Sequence, residues 1–167
     1  MGIITEASMR LQDRPIYRSS CTVEFENYED SLNALRQISQ SGLFPSNCRL
    51  LDSNEALFNG AGDGTKHLLI LAFESADHDK TISLERALEI AKENNGLFEK
   101  LPHSSDAHRS GSSGNWRNSF IKAPYLRESF TRRGIIQDTF ETSITWDKSY
   151  KFIKEVKDQT SKAISKI

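Results

Sequence analysis

The apolar positions change period several times along the chain, and each change marks an element. "IITEASMRL", Ile3 to Leu11, alternates and is rich in β-branched residues, which predicts a strand. Pro15 breaks that run. "YRSSCTVEF" alternates again, with Cys21, Val23 and Phe25 on one face, and predicts a second strand. "NYEDSLNALRQISQSG" then switches to helical spacing. Leu32, Leu35 and Ile38 form its apolar stripe, and Asn27 is a good N-cap. Glu29 and Asp30 stand in the first turn, where the helix dipole favours anions, and Gly42 is placed to end the helix.

After Pro45, "CRLLD" reads as a short strand, and "SNEALFNG" starts a helical turn with Ser53 as its cap. "HLLILAFES" is almost wholly apolar, so it is expected to be a central strand buried on both faces. "DKTISLERALEIAKENNG" is the clearest helix: Leu84, Ala87, Leu88 and Ala91 share a face, and Gly96 ends it. "HSSDAHRSGSSGN" has no period and predicts a flexible loop over 102–115. "WRNSFIKAPYLRESFTRRG" is largely helical, with Pro124 starting or kinking a turn. "IIQDTFETSITW" reads as a strand. From Asp147 onward a lysine-rich amphipathic helix follows, with Ile153, Val156, Ala163 and Ile164 on its apolar side.

Strand-helix-strand followed by strand-helix-strand, without the crossover pattern of a parallel sheet, predicts an α+β fold. The expected architecture is an antiparallel sheet with helices on one face, a split βαβ (ferredoxin-like) arrangement. Composition narrows the function more than the fold. With 22 basic and 23 acidic residues among 167, the chain lacks the clustered basic excess of a nucleic-acid binder. No apolar run approaches the roughly 18 residues of a membrane span. The N-terminus lacks the features of a secretion signal, so a cytoplasmic location is expected. There the two cysteines, Cys21 and Cys48, are expected to stay reduced, as packing residues or bystanders.

Candidate chemistry is sparse. "GAGDG", 60–64, carries three glycines, but a phosphate cradle needs a strand before them and a helix after. The predicted order is reversed, so a helix-to-strand turn is expected. His103 and His108 fall in the serine-rich loop, and His67 and His78 stand alone, so no metal site is expected. The lysines at 148, 151, 154, 157, 162 and 166 are interrupted by Glu155 and Asp158 and read as a solvated helix face. Arg49 lies mid-strand between apolar residues. It must either pair with Asp52 or Glu55 or project into a cavity to bind an anion.

Several of these stretches also form one pattern. "GIITEASMRL", "CRLLDSNE", "LAFES" and "APYLRESFTRRGIIQDTFETSITWD" occur in the order seen in FAD-linked oxidases of the vanillyl-alcohol-oxidase type. The chain resembles their C-terminal portion, and most closely the alkylglycerone-phosphate-synthase (alkyldihydroxyacetonephosphate-synthase) branch. The resemblance implies that residues 1–13 are the closing strand of an FAD-binding domain. Residues 14–167 are then a cap, or substrate, domain, incomplete at its C-terminal end. The family's catalytic tyrosine and histidine-rich stretch have no counterpart here. The implied role is to cover the flavin of an FAD-dependent oxidoreductase or synthase and to bind an anionic or acyl substrate, of the hydroxy-acid or glycerone-phosphate type.

Within that pattern Arg49 matches the arginine that reaches the active site. Glu141, Thr142 and Ser143 fall where the family lines its cavity, although alternate residues of a strand face opposite ways. Tyr125 and Arg127 belong to the matching "APYLRE", with packing an equal reading. FAD is the cofactor of the parent family, and none is expected to be bound by this chain, which alone is expected to be inactive. The implied partner is an FAD-binding domain or subunit. The alternative is a stand-alone binding or interaction module that pairs with a separate FAD-binding subunit.

Overall fold

A computed structural model describes residues 2–99 and 111–165. Its organising element is β3 (His67–Ser75), whose Leu68 to Phe73 are all buried. A strand that is apolar on both faces must be flanked on both edges and covered above and below. β1 (Tyr17–Phe25) pairs with one edge and β2 (Asn47–Leu51) with the other, both antiparallel, giving the order β1-β3-β2. β1 and β2 are therefore parallel to each other, joined through α1 (Tyr28–Gln40) and split by β3. This is the expected split βαβ unit of an antiparallel sheet.

Register divides the side chains between two faces. Cys21, Val23 and Phe25 lie level with Leu71, Leu69 and His67, and Cys48 and Leu50 with Leu71 and Leu69. The main core lies on that face, under α1 and α3 (Thr81–Glu93), which contribute Ala34, Ile38, Leu84, Ala87, Ile90 and Ala91. Both cysteines are free thiols in this layer. Burial pushes each up to about 11, as suits packing residues. On the opposite face a smaller core joins Leu51, Leu68 and Ile70 to Ala56 of α2 (Ser53–Phe58), to Ala61, and to Trp116 of α4 (Gly111–Thr131). α5 (Trp146–Ile164) closes the described chain.

Most helix ends follow the sequence. The Asn27 side chain accepts from the Glu29 amide at 2.7 Å, and Gly42 takes φ +78° just after α1. α2 is capped one residue earlier than expected. Asp52, not Ser53, accepts from the Glu55 amide at 2.9 Å, since only a residue in extended conformation can present its side chain to the first turn. α3 ends with Asn95, not Gly96, in the left-handed region. Gly96 is required for space: a Cβ there would lie 2.6 Å from Val23 Cγ1 and 2.8 Å from both the Ala91 carbonyl and Phe25 Cζ.

Two expected strands are absent. Residues 2–16 and 135–145 have no regular secondary structure, and Ile3, Ile4, Met9, Leu11, Ile136 and Phe140 are exposed. Alternation supplies a face, but a strand also needs a partner ladder, and among the described residues neither segment has one beyond the single bond from the Ile16 amide to the Ser75 carbonyl. Of the expected loop, 111–115 are helical, because α4 begins at Gly111. Residues 102–110, with His103 and His108, lie outside the described residues. α4 runs through Pro124 instead of starting there. α5 starts at Trp146 with Thr145 before it, and Ala163 and Ile164 are exposed, so only Ile153 and Val156 of its apolar side are partly covered. No described helix is long and apolar enough to cross a membrane.

The contacts around Gly96 generate a test. Gly96→Ala must displace backbone or core side chains and is expected to cost about 1–3 kcal/mol. Gly42→Ala meets open space and should cost only the left-handed strain, about 1 kcal/mol. Urea unfolding of the two variants compares them. Equal destabilisation would mean that the contacts at Gly96 are not tight.

Candidate functional site

The polar side chains of interest gather at the Leu51 end of β2, where strand passes into α2. The register that buries Leu51 in the second core places Arg49, level with Ile70, on the same face. Arg49 is exposed, not buried as its apolar neighbours suggested, because β2 is an edge strand. Its guanidinium carbon lies 4.4 Å from the centroid of the Trp116 ring, a cation–π contact. Neither Asp52 nor Glu55 pairs with it directly. Among the described residues no group takes a hydrogen bond or ion pair from its guanidinium. The cation lies over an indole, and its N–H groups are unused among the described residues.

Trp116 is fixed from both sides in sequence. Asn115 Nδ2 donates to the Gly60 carbonyl at 2.9 Å and Ser119 Oγ to the Asn59 carbonyl at 2.8 Å, clipping α4 to the turn after α2. The ring packs on the second core and stacks on Phe120, with centroids 5.4 Å apart. The glycines at 60–64 form the expected turn: Gly60 and Gly64 take φ +64° and +87°, and Gly62 sits against Leu68 and Ala56. They precede β3, the reverse of a dinucleotide-phosphate cradle.

Asp52 works twice. While Oδ1 caps α2, Oδ2 accepts from Lys157 Nζ of α5 at 2.6 Å. Burial pushes its carboxyl upward, but the Lys157 hydrogen bond and the cap amides together outweigh burial and hold it below the ordinary range. Glu55 goes the other way. Burial, then the charge of Asp52, raise it against the opposing charges of Arg49 and Lys157. Lys157 lies 5.6 Å from the Tyr28 ring centroid, and Tyr28 meets His67 edge-on at 5.2 Å. The His67 Nδ1 accepts from the Ser53 amide at 3.1 Å, which places the ring proton on Nε2. Of this group sequence reading singled out Arg49, with Asp52 or Glu55 as its possible partner. Lys157 passed for part of a solvated face, His67 for an isolated residue, and Trp116 for a helix residue. The spacing Arg49, Asp52, Glu55 was the one local signal.

Glu141, Thr142 and Ser143 are exposed in the irregular segment 135–145, and among the described residues no hydrogen bond or ion pair joins them to Arg49. The strand constraint on which of them faces inward does not apply there. Arg127 forms an ion pair with Asp138 at 3.7 Å, linking α4 to that segment, and Tyr125 is exposed. Among the described residues no cluster of His, Cys, Asp or Glu could hold a metal ion.

His67 generates a pH test. Burial, then the opposing influences of Asp52 and Lys157, leave its folded-state value below 6.5. Between that value and 6.5 the unfolded chain binds more protons than the folded one, so stability falls as pH falls. The contribution is intact above 6.5 and erodes as pH drops below it. Glu55 has the opposite sign, since its raised value makes the fold gain stability as pH falls toward 4.5. Urea midpoints between pH 7.5 and 5.5 should decline for the wild type and flatten for His67→Gln. An unchanged slope would assign the decline to another group.

The FAD linked oxidases, C-terminal domain, matches residues 14–165 of the chain. An alkyldihydroxyacetonephosphate synthase of Caenorhabditis elegans is 21% identical over 178 aligned positions, covering 95% of this chain and 30% of the relative. The fold is that of a solved alkyldihydroxyacetonephosphate synthase. The TM-score is 0.67 at 18% identity, over 89% of this chain and 31% of that one. The chain thus spans about a third of the length of the relatives it matches. With the matched segment taking in both cores, the Arg49 strand and α5, the chain belongs to the FAD-linked oxidase C-terminal domain family.

Proposed function

We propose that this chain is the cap of a flavoenzyme similar to alkylglycerone-phosphate synthase, and that Arg49 receives the anionic end of the substrate. The observation that carries this reading is the state of Arg49: exposed, lying over the Trp116 ring, with its N–H groups unused among the described residues. A planar guanidinium offers paired donors that match a phosphate or carboxylate. A structural arginine would instead spend those donors on a neighbouring carboxylate, and both Asp52 and Glu55 are within reach in sequence. The relative's name points to a dihydroxyacetone-phosphate ester as the ligand class.

In this reading an FAD-binding domain or subunit holds the coenzyme and this chain covers it. The glycine turn supports that division, because it stands before β3 and not between a strand and a helix. These residues therefore do not fit a coenzyme phosphate, and no chemical step is assigned to them. Glu141, Thr142 and Ser143 add polar groups to the same cavity when the partner is in place. Alone, the cap binds but does not turn over.

The purified chain is expected to be colourless and to bind a dihydroxyacetone-phosphate ester saturably in a calorimetric titration. Arg49→Ala should weaken binding about tenfold or more, as expected for loss of a charge-assisted hydrogen bond. A bound flavin spectrum would overturn the division of labour. Undiminished binding by Arg49→Ala would remove Arg49 from the site.

A further inference from the structure

We infer that Trp116 is a positioning residue for anion recognition: its ring is a shelf that holds the Arg49 guanidinium flat and leaves its N–H edge turned to the ligand. The inference rests on the reading of Arg49 just given and adds a second residue to it. Three observations converge. The guanidinium carbon is 4.4 Å from the ring centroid, so the cation lies over the π face. The ring is not free to follow the arginine, because it is packed on the second core and stacked with Phe120. The residues on either side of it in the helix, Asn115 and Ser119, are bonded to the carbonyls of Gly60 and Asn59.

The physical consequence is selective. A carboxylate partner would orient Arg49 by occupying the same in-plane donors that a ligand needs. An aromatic face orients the plane while touching none of them. The arginine gives up side-chain freedom before the ligand arrives, so less is lost on binding. It is also held without a neutralising counter-charge in contact. Glu55, whose carboxyl is raised chiefly by burial and lowered by the Arg49 charge, is not bonded to it.

The test uses the whole chain, with glycerol 3-phosphate and inorganic phosphate as probes in calorimetric titrations. Trp116→Phe keeps a flat π face and should bind within about twofold of the wild type. Trp116→Leu keeps apolar volume but has no face, and should bind roughly tenfold more weakly. Asn115→Ala combined with Ser119→Ala leaves the ring and frees its helix, and should fall between them. Arginine Nε–H NMR adds a signature that mere stability would not move: an upfield ring-current shift of the Arg49 proton in the wild type, kept in the Phe variant and lost in the Leu variant.

Wild-type affinity in Trp116→Leu would overturn the inference. So would an unshifted Arg49 proton in the wild type, a result that stands even where the Leu variant fails to fold. A wild type that binds neither probe, with the ring-current shift present, would bring down the anion-binding reading itself and the role of Trp116 with it. Stacking would then survive only as packing.

Discussion

Everything in this fold follows from the burial of β3. Six consecutive apolar residues leave no face for water. The strand is tolerated only with ladders on both edges and a layer on both sides. α1 and α3 supply one layer in full. The second is thinner, assembled from the six-residue α2, the glycine turn and one large ring from α4. That inequality separates the two roles of the sheet. The thick side carries stability, and the thin side, at the edge strand, can present Arg49 to solvent while still anchoring it.

The legible parts of the sequence were those governed by neighbours in the chain. The β3 run, the Leu32–Leu35–Ile38 stripe and the Asn27 cap depend on spacings of a few residues, and each is present. Ile3–Leu11 and 135–145 show the limit. Their alternation is real, but a strand is defined by hydrogen bonds to another segment, and a single pattern cannot supply the second half. Gly96 is a subtler case. The glycine was correctly placed at the end of α3, as a helix stop. Its Cβ position is in fact filled by Val23 and Phe25, residues of β1.

The site was half legible for the same reason. An arginine in an apolar strand stands out, and the Asp52 and Glu55 that follow it stand out as partners. What decides between those partners lies elsewhere in the chain. Lys157, 105 residues on, takes the Asp52 carboxylate, and Trp116 takes the face of the arginine. Once Lys157 is bound to it, Asp52 is committed to holding α5 and capping α2. The basic face of α5 is thus not wholly given to solvent. One of its lysines ties the last helix to the end of β2.

The placement of β3 between β1 and β2 also imposes an order in time. As the chain emerges from the ribosome, Val23 and Phe25 appear first, then Leu50 and Leu51. Neither pair of residues can form a ladder until the strand ending at Ser75 has followed. At about 5–20 residues per second, that interval lasts a few seconds. Until it closes, α1 is the main shelter for the apolar side of β1, and the first half of the nascent domain is a helix waiting for its sheet.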